Sequence, residues 1–300
     1  MKQFATIEKF SRNAWLLAMK AEMTSAVLLL GGHMAKLLEV DNISLSFGGI
    51  KALKDVSFHV NEAELYSIIG PNGAGKTSML NCISGRYRPD EGSIRFAGSE
   101  LIGRRTSERP DIGIGRTFQN LALFDHMTVL DNIMVGRHHL LKNNFLTGMA
   151  YWFGAQTEEL EHRRQVEDII DFLEIQHIRN AVAGTLSYGL RKRVELARAI
   201  ALRPKLVLLA EPMAGMNMEE KEDMARYVIE LNQEMGMTVI MIEHDMGVVM
   251  DISERVMVLD FGAKVCDGLP EEVLANEHVK TAYLGAEFVD EDDTQVEEVA

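Results

Sequence analysis

The run "GPNGAGKT", Gly70 to Thr77, constrains this chain more than any other stretch. It fits the pattern GxxxxGK[ST], and it lies between "ELYSIIG", which reads as a short buried strand, and a helical segment opening at Lys76. Glycines at these offsets let successive backbone N–H groups turn toward one anion, and the helix N-terminus behind them adds its partial positive charge. Lys76 then reaches the β and γ phosphates of a nucleotide, and the Thr77 hydroxyl is the natural ligand for Mg²⁺. The expected phosphate cradle is Gly70, Pro71, Asn72, Gly73, Ala74, Gly75, Lys76, Thr77 and Ser78. A glycine-rich turn without a ligand is the bland alternative, and the lysine and threonine at the prescribed spacing count against it.

The rest of the chain supplies a frame for such a loop. At 300 residues and 47% hydrophobic content there is ample material for a core. "LLEVDNISLSF" and "KALKDVSFHV" alternate with period two and predict antiparallel strands, and "GSIRFAGSEL" returns to that pattern. From about residue 121 to 184 helix formers dominate, as in "QTEELEHRRQVEDIIDFLEIQ", which predicts an inserted helical subdomain. Beyond it the segments "KLVLLA", "MTVIMIE" and "RVMVLDFG" alternate with the helical "RKRVELARAIAL" and "EKEDMARYVIELNQEM". That alternation predicts βαβ units and a parallel sheet covered on both faces.

Charge and cysteine content narrow the partners. A formal charge of -14 argues against a nucleic-acid binder, whose footprint is a basic patch. Part of the charge is local: "EFVDEDDTQVEEVA" holds seven acids and no base, and residues 286–300 read as a solvated, disordered tail. Cys82 and Cys266 lack any CxxC or Cys/His spacing, so neither a disulfide framework nor a zinc site is implied. His138 and His139 diverge from one another on a helix and have no third ligand nearby, so they read as surface residues. Residues 1–33 differ from the remainder; their apolar stretches fall short of the ~20 residues that span a bilayer. "MAKLLEVDNISLSFGG" at Met34 looks like a domain start, which leaves 1–33 as an extension, an upstream start or a non-native remnant, with an amphipathic surface helix as the alternative.

Two further stretches carry chemistry. "LVLLAEP" ends an apolar strand on Glu211, so the strand delivers a carboxylate to its carboxyl edge, where ligands of α/β sheets bind. A carboxylate there can orient and polarise the water that attacks a γ-phosphate. "LSYGLRKRVELARAIAL" sets Ser187 and Gly189 at the head of an amphipathic helix, which fits either an anion site or a simple helix cap.

The order of motifs gives a resemblance. "GPNGAGKT", "RTFQN", "LSYGLRKRVELARA", "LLAEP" and "IEHDM" follow one another as in ATP-binding subunits of ABC transporters, over roughly residues 37–284. "NCISG", "RTFQNLALFDHMTVLDNIMVGRHH", "AGMN", "EHDMGVVMDISERVMVLDFG" and "AYLGAE" are similar to the LivG-type ATPases of branched-chain amino acid import. The resemblance implies a P-loop NTPase core of the ABC ATPase type with an antiparallel β subdomain and an inserted helical subdomain, the whole running from 34 to 285. It also implies residue roles. Phe47 falls where the family stacks an aromatic on adenine; Gln119 matches the loop that contacts Mg²⁺; His244 matches the switch histidine on the γ-phosphate. Ser187, Tyr188 and Gly189 match the signature that binds ATP held by the opposite subunit, and Asn217 lies in the segment crossing the dimer interface. ATP and Mg²⁺ are the expected ligands. The expected partners are a second ATPase subunit, LivF-like or a second copy, two membrane permeases and, indirectly, an extracytoplasmic binding protein. The chain itself would sit peripherally on the cytoplasmic face of the plasma membrane. Branched-chain amino acids are the cargo implied, with urea, amides or lipid left open.

Two positions depart from the family pattern. Leu190 replaces a glutamine of the signature, and Ala210 replaces the acid that supports Mg²⁺. Loss of an outer partner of a metal typically costs about 10–100-fold in metal affinity or activity. ATP binding is expected to survive and hydrolysis to slow. A nucleotide-bound switch with little turnover is the alternative that Ala210 favours and that Glu211, Gln119 and His244 oppose.

Overall fold

The structure is a computed structural model, and it describes residues 35–119, 121–140 and 155–280. The N-terminal extension and the acidic tail lie outside the described residues, as do all of "AYLGAE" and the side chain of His139. His138 is exposed in a single turn of 3-10 helix.

Alternating apolar residues build the opening of the domain as expected. β1 (Lys36–Phe47) and β2 (Ile50–Asn61) form an antiparallel pair, closed by a tight turn at Gly48 and Gly49. β3 (Leu65–Ile69) leads into the glycine-rich loop and α1 (Lys76–Ile83). The chain then returns in β4 (Glu91–Phe96) and the short β5 (Ser99–Glu100), giving an antiparallel sheet ordered β2-β1-β4-β5.

The second sheet holds the site. After β6 (Ile114–Arg116) come the helices α2 (Val129–Gly136) and α3 (Ala155–Phe172), which occupy the span expected to be helical. There follow α4 (Tyr188–Ile200), β7 (Leu206–Ala210), α5 (Met218–Gln233), β8 (Thr238–Ile242) and α6 (Met246–Ile252). β9 (Arg255–Asp260), β10 (Ala263–Gly268) and the short α7 (Pro270–Ala275) and α8 (Glu277–Val279) complete the described chain. The six strands run in the order β10-β9-β3-β8-β7-β6, and all neighbours from β9 to β6 are parallel. The sheet is not parallel throughout: β10 pairs antiparallel with β9 at the edge, because a tight turn at Phe261 and Gly262 reverses the chain without a crossover.

Each inner strand is buried on both faces, so its side chains alternate between two cores. Val207 and Leu209 of β7, Val239 and Met241 of β8, and Val256 and Val258 of β9 pack with helices α2 to α5. Leu206, Leu208 and Ala210, with Ile240, Ile242, Met257 and Leu259, face the other way, against α1 and the antiparallel sheet. Burying each such aliphatic side chain contributes about 1.5–3 kcal/mol. Position 210 therefore points to the same side of the sheet as the helix that follows the glycine-rich loop. Among the described residues no helix is long and apolar enough to cross a membrane.

Candidate nucleotide site

Parallel neighbours end at one edge, and that edge collects the expected residues. The carboxyl ends of β3, β8, β7 and β6 deliver Gly70, His244, Glu211 and Gln119 in turn. At the loop, Gly70 turns with φ 153, and a Cβ there would lie 2.1 Å from the Leu259 carbonyl oxygen. Gly75, φ 102, caps α1 with its backbone, and a Cβ there would meet the Ala52 carbonyl oxygen at 2.5 Å. No side chain fits at either position, so the path of the loop requires glycine at both.

Lys76 is buried and folds its ammonium back over the loop. Its Nζ donates to the carbonyl oxygens of Gly70 at 2.5 Å and Pro71 at 2.9 Å. Burial lowers the pKa of this ammonium, and the charge of Glu211 opposes the shift, which puts lysine and carboxylate within electrostatic reach. Asn72, Gly73 and Thr77 are exposed, Ser78 is half-buried and Ala74 is buried against the core. The Thr77 hydroxyl is thus available to an incoming ligand at the first turn of α1. Phe47, 46% exposed at the end of β1, stands edge-on to Tyr87 with ring centroids 5.1 Å apart.

Two polar residues, each following a different strand, meet on the carboxylate of a residue that follows a third. Gln119 Nε2 donates to Glu211 Oε1 at 3.1 Å and Oε2 at 3.2 Å, and His244 Nε2 lies 3.0 Å from Oε1. Glu211 has φ 51, a left-handed backbone uncommon for a residue with a side chain, and its N–H donates to the Ile242 carbonyl at 2.9 Å. The Gln119 segment is held in turn: Thr117 N–H donates to the Leu208 carbonyl, and Phe118 N–H donates to the buried carboxylate of Glu195 at 3.0 Å.

The signature residues stand apart from this cluster. Ser187 caps α4, its Oγ accepting the Leu190 N–H at 3.5 Å. Tyr188 is exposed, while Gly189 is buried so tightly that a Cβ would fall 2.3 Å from Glu220 Oε1. Asn217 caps α5 in a reciprocal capping box with Glu220, which starts that helix two residues before the expected "EKEDM". Ser187 and Asn217 are thereby exposed at helix N-termini, with their intramolecular bonds made inside their own first turns.

Sequence reading missed two acids that organise the site. Glu243, just after β8, is 3% exposed and receives the N–H groups of Met213 at 2.7 Å and His244 at 3.1 Å, tying the loop after Glu211 to the His244 segment. Burial raises its carboxyl above the ordinary range; those N–H donations oppose the rise and the charge of Glu211 adds to it. Glu195 performs the equivalent task for the Gln119 segment. The available signal was an acid set among core positions, in "VIMIEH" and in "VELARA".

Comparison with known proteins agrees with this geometry. A family profile described as "ABC transporter" matches residues 53–214, and one described as "Branched-chain amino acid ATP-binding cassette transporter" matches residues 263–289. The chain is 39% identical over 249 residues to the high-affinity branched-chain amino acid transport ATP-binding protein BraF of Pseudomonas aeruginosa, covering 83% of this chain and 98% of that one. It is 37% identical over 252 residues to LivG of Escherichia coli, a protein of the same description, with the same coverage. Among solved structures, a nucleotide-free ATP-binding cassette from an ABC transporter superposes with a TM-score of 0.72 at 31% identity, covering 83% of this chain and 98% of that one. The ADP conformation of an ABC transporter cassette gives the same score at 32% identity, covering 83% and 99%. A glycine loop with its lysine, a carboxylate clamped by glutamine and histidine, and relatives matched over nearly their full length lead to one conclusion: this chain belongs to the ATP-binding subunits of ABC transporters, a family of ATP hydrolases.

Proposed function

We propose that the chain energises import of branched-chain amino acids by binding and hydrolysing ATP at sites shared with a second ATPase subunit. The observation that carries the chemistry is the convergence of Gln119 and His244 on Glu211 at the edge that also bears the phosphate loop. The cargo follows from the relatives, whose names specify branched-chain amino acid transport.

The residues present fit both ligands. The glycine-rich loop and Lys76 suit a triphosphate, and exposed Thr77 with the Gln119 amide suits Mg²⁺, which takes few protein ligands when phosphates and water supply the rest. Bound there, the ion would neutralise charge on the departing phosphoryl oxygens. Phe47 takes the base; Gly70 to Ser78 hold the phosphates; His244 holds the γ-phosphate and Glu211 orients the attacking water and accepts its proton. Ser187, Tyr188 and Gly189 close over ATP bound to the partner, and Asn217 borders that interface.

With one phosphate loop and one signature per chain, two subunits are needed for a complete site. The partner is a LivF-like ATPase or a second copy, and the pair works with two permeases fed by an extracytoplasmic binding protein, on the cytoplasmic face of the plasma membrane. The ATP-binding domain runs from 34 to 285, with 121–184 as its helical subdomain.

Ala210 is the one site position that argues for slow turnover. The test is ATP hydrolysis by the chain with its partner, beside Ala210→Asp. The variant should be about 10–100-fold faster. If it is no faster, position 210 does not limit the metal; if neither form hydrolyses ATP, the chain acts as a nucleotide-bound switch.

A further inference from the structure

Glu211 carries its carboxylate on a strained backbone, and that backbone has a second anchor. The Glu211 carbonyl oxygen accepts a hydrogen bond from Lys192 Nζ at 3.1 Å. Lys192 lies on α4, one turn beyond the signature, and is 3% exposed, with its ammonium 5.8 Å from the centre of the Tyr188 ring. It shares the buried face of the helix with Glu195, whose carboxylate it approaches electrostatically and which holds the Gln119 segment. A buried ammonium is costly unless it is bonded, so this lysine is present for what it touches.

The left-handed conformation of a residue with a Cβ costs of order 1–3 kcal/mol and persists only when its surroundings fix it. At Glu211 the N–H is fixed by the Ile242 carbonyl and the C=O by Lys192, so the peptide planes on both sides of the Cα are set. Those planes determine where the Cβ points, and hence whether the carboxylate reaches Gln119, His244 and a water beside the γ-phosphate.

We propose that Lys192 is a positioning residue for ATP hydrolysis: it holds the Glu211 backbone from helix α4 and thereby aims the Glu211 carboxylate. Lys192 is buried and bonded to the Glu211 backbone rather than to the phosphate loop, so its loss should slow the chemical step and leave nucleotide affinity intact. The inference rests on Glu211 as the carboxylate that orients water.

The test uses the full chain with its partner ATPase subunit and compares Lys192→Met, Lys192→Arg and Glu211→Gln. In Lys192→Met, kcat should fall about 10- to 100-fold, the scale of a small misplacement of a reacting group, while KM and the affinity for a non-hydrolysable ATP analogue stay at wild-type values. Lys192→Arg keeps a donor at this reach and should recover most of kcat. Lys192→Met in a Glu195→Gln background should remain slow; recovery there would mean that the lysine only balances Glu195, and the proposal would fall. A wild-type kcat in Lys192→Met, or parallel losses of analogue binding and Tm that Lys192→Arg does not repair, also overturns it. If Glu211→Gln hydrolyses ATP at the wild-type rate, the Glu211 reading itself fails, a result distinct from failure at Lys192 alone.

Discussion

Gln119 Nε2 spans both carboxylate oxygens of Glu211, at 3.1 and 3.2 Å, and so joins the residue leaving β6 to the residue leaving β7. With His244 on the same carboxylate, the group proposed to orient water is held by the two residues proposed to contact the nucleotide.

Glu211→Gln isolates the proton-accepting role. The amide keeps the volume and one acceptor, so the phosphate loop and Lys76 should be undisturbed. Hydrolysis should fall about 10²- to 10⁴-fold, the usual contribution of a general base, with ATP analogue affinity retained. Steady-state hydrolysis and equilibrium binding on the same preparation check this. Equal loss of both would mean that Glu211 supports the loop instead.

Position 210 gives a second prediction, on stability. Ala210 is 4% exposed within an apolar cluster, and its N–H donates to Thr117 Oγ1 at 3.1 Å. An aspartate there buries a carboxylate with no partner until a metal comes, at a cost of at least about 1–3 kcal/mol. Without ligand, Ala210→Asp should melt below the wild type. With nucleotide and Mg²⁺ its Tm should rise more than that of the wild type, and EDTA should remove the extra increment. Equal rises in the two proteins would show that an acid at 210 does not reach the ion.

Strands and loop were legible in the sequence because a single pattern fixed each. β3, β7 and β8 are five-residue apolar runs buried on both faces. The run at β7 leads to Glu211 and the run at β3 to Gly70, so the sheet edge that bears both is legible in the sequence. β6 and β10 escaped notice: β6 is a three-residue strand with a glycine at its centre, and β10 reads "AKVCDG", a half-exposed edge with little apolar content. Glu243, Glu195 and Lys192 were hidden for a different reason. Glu243 accepts from the main-chain N–H groups of Met213 and the adjacent His244, Glu195 from that of Phe118, and Lys192 donates to the Glu211 carbonyl; a backbone acceptor or donor leaves no mark in the residue type.

Glu195 supports a pH prediction. Burial raises its carboxyl above the ordinary glutamate range, against the pull of the Phe118 N–H, Lys192 and Arg198. The folded state therefore holds this proton more tightly than the unfolded chain. The resulting contribution to stability is full below the unfolded pKa and is lost as pH rises through the folded one. Glu195→Gln keeps an acceptor for Phe118 N–H and removes the titration. Relative to the wild type, its Tm should improve as pH rises from about 4.5 toward neutrality. Parallel Tm curves for the two proteins across that range would refute the assignment.

Ser187 separates a cap from an anion site. Its Oγ lies 3.5 Å from the Leu190 N–H, a long bond, so the cap leaves the hydroxyl accessible at the head of α4. Alanine should cost about 1 kcal/mol of stability, the ordinary value of a lost cap, whereas aspartate caps as well as serine and should cost little. Toward ATP on the partner the order reverses. A carboxylate about 4 Å from a phosphate charge is repelled by about 4 kcal/mol at an effective dielectric near 20. Ser187→Asp should therefore keep its Tm and lose ATP-driven subunit association, while Ser187→Ala melts earlier and associates more weakly than wild type. Size-exclusion chromatography with ATP, in the slow Glu211→Gln background, reads association directly. If aspartate associates as wild type does, Ser187 serves only its own helix.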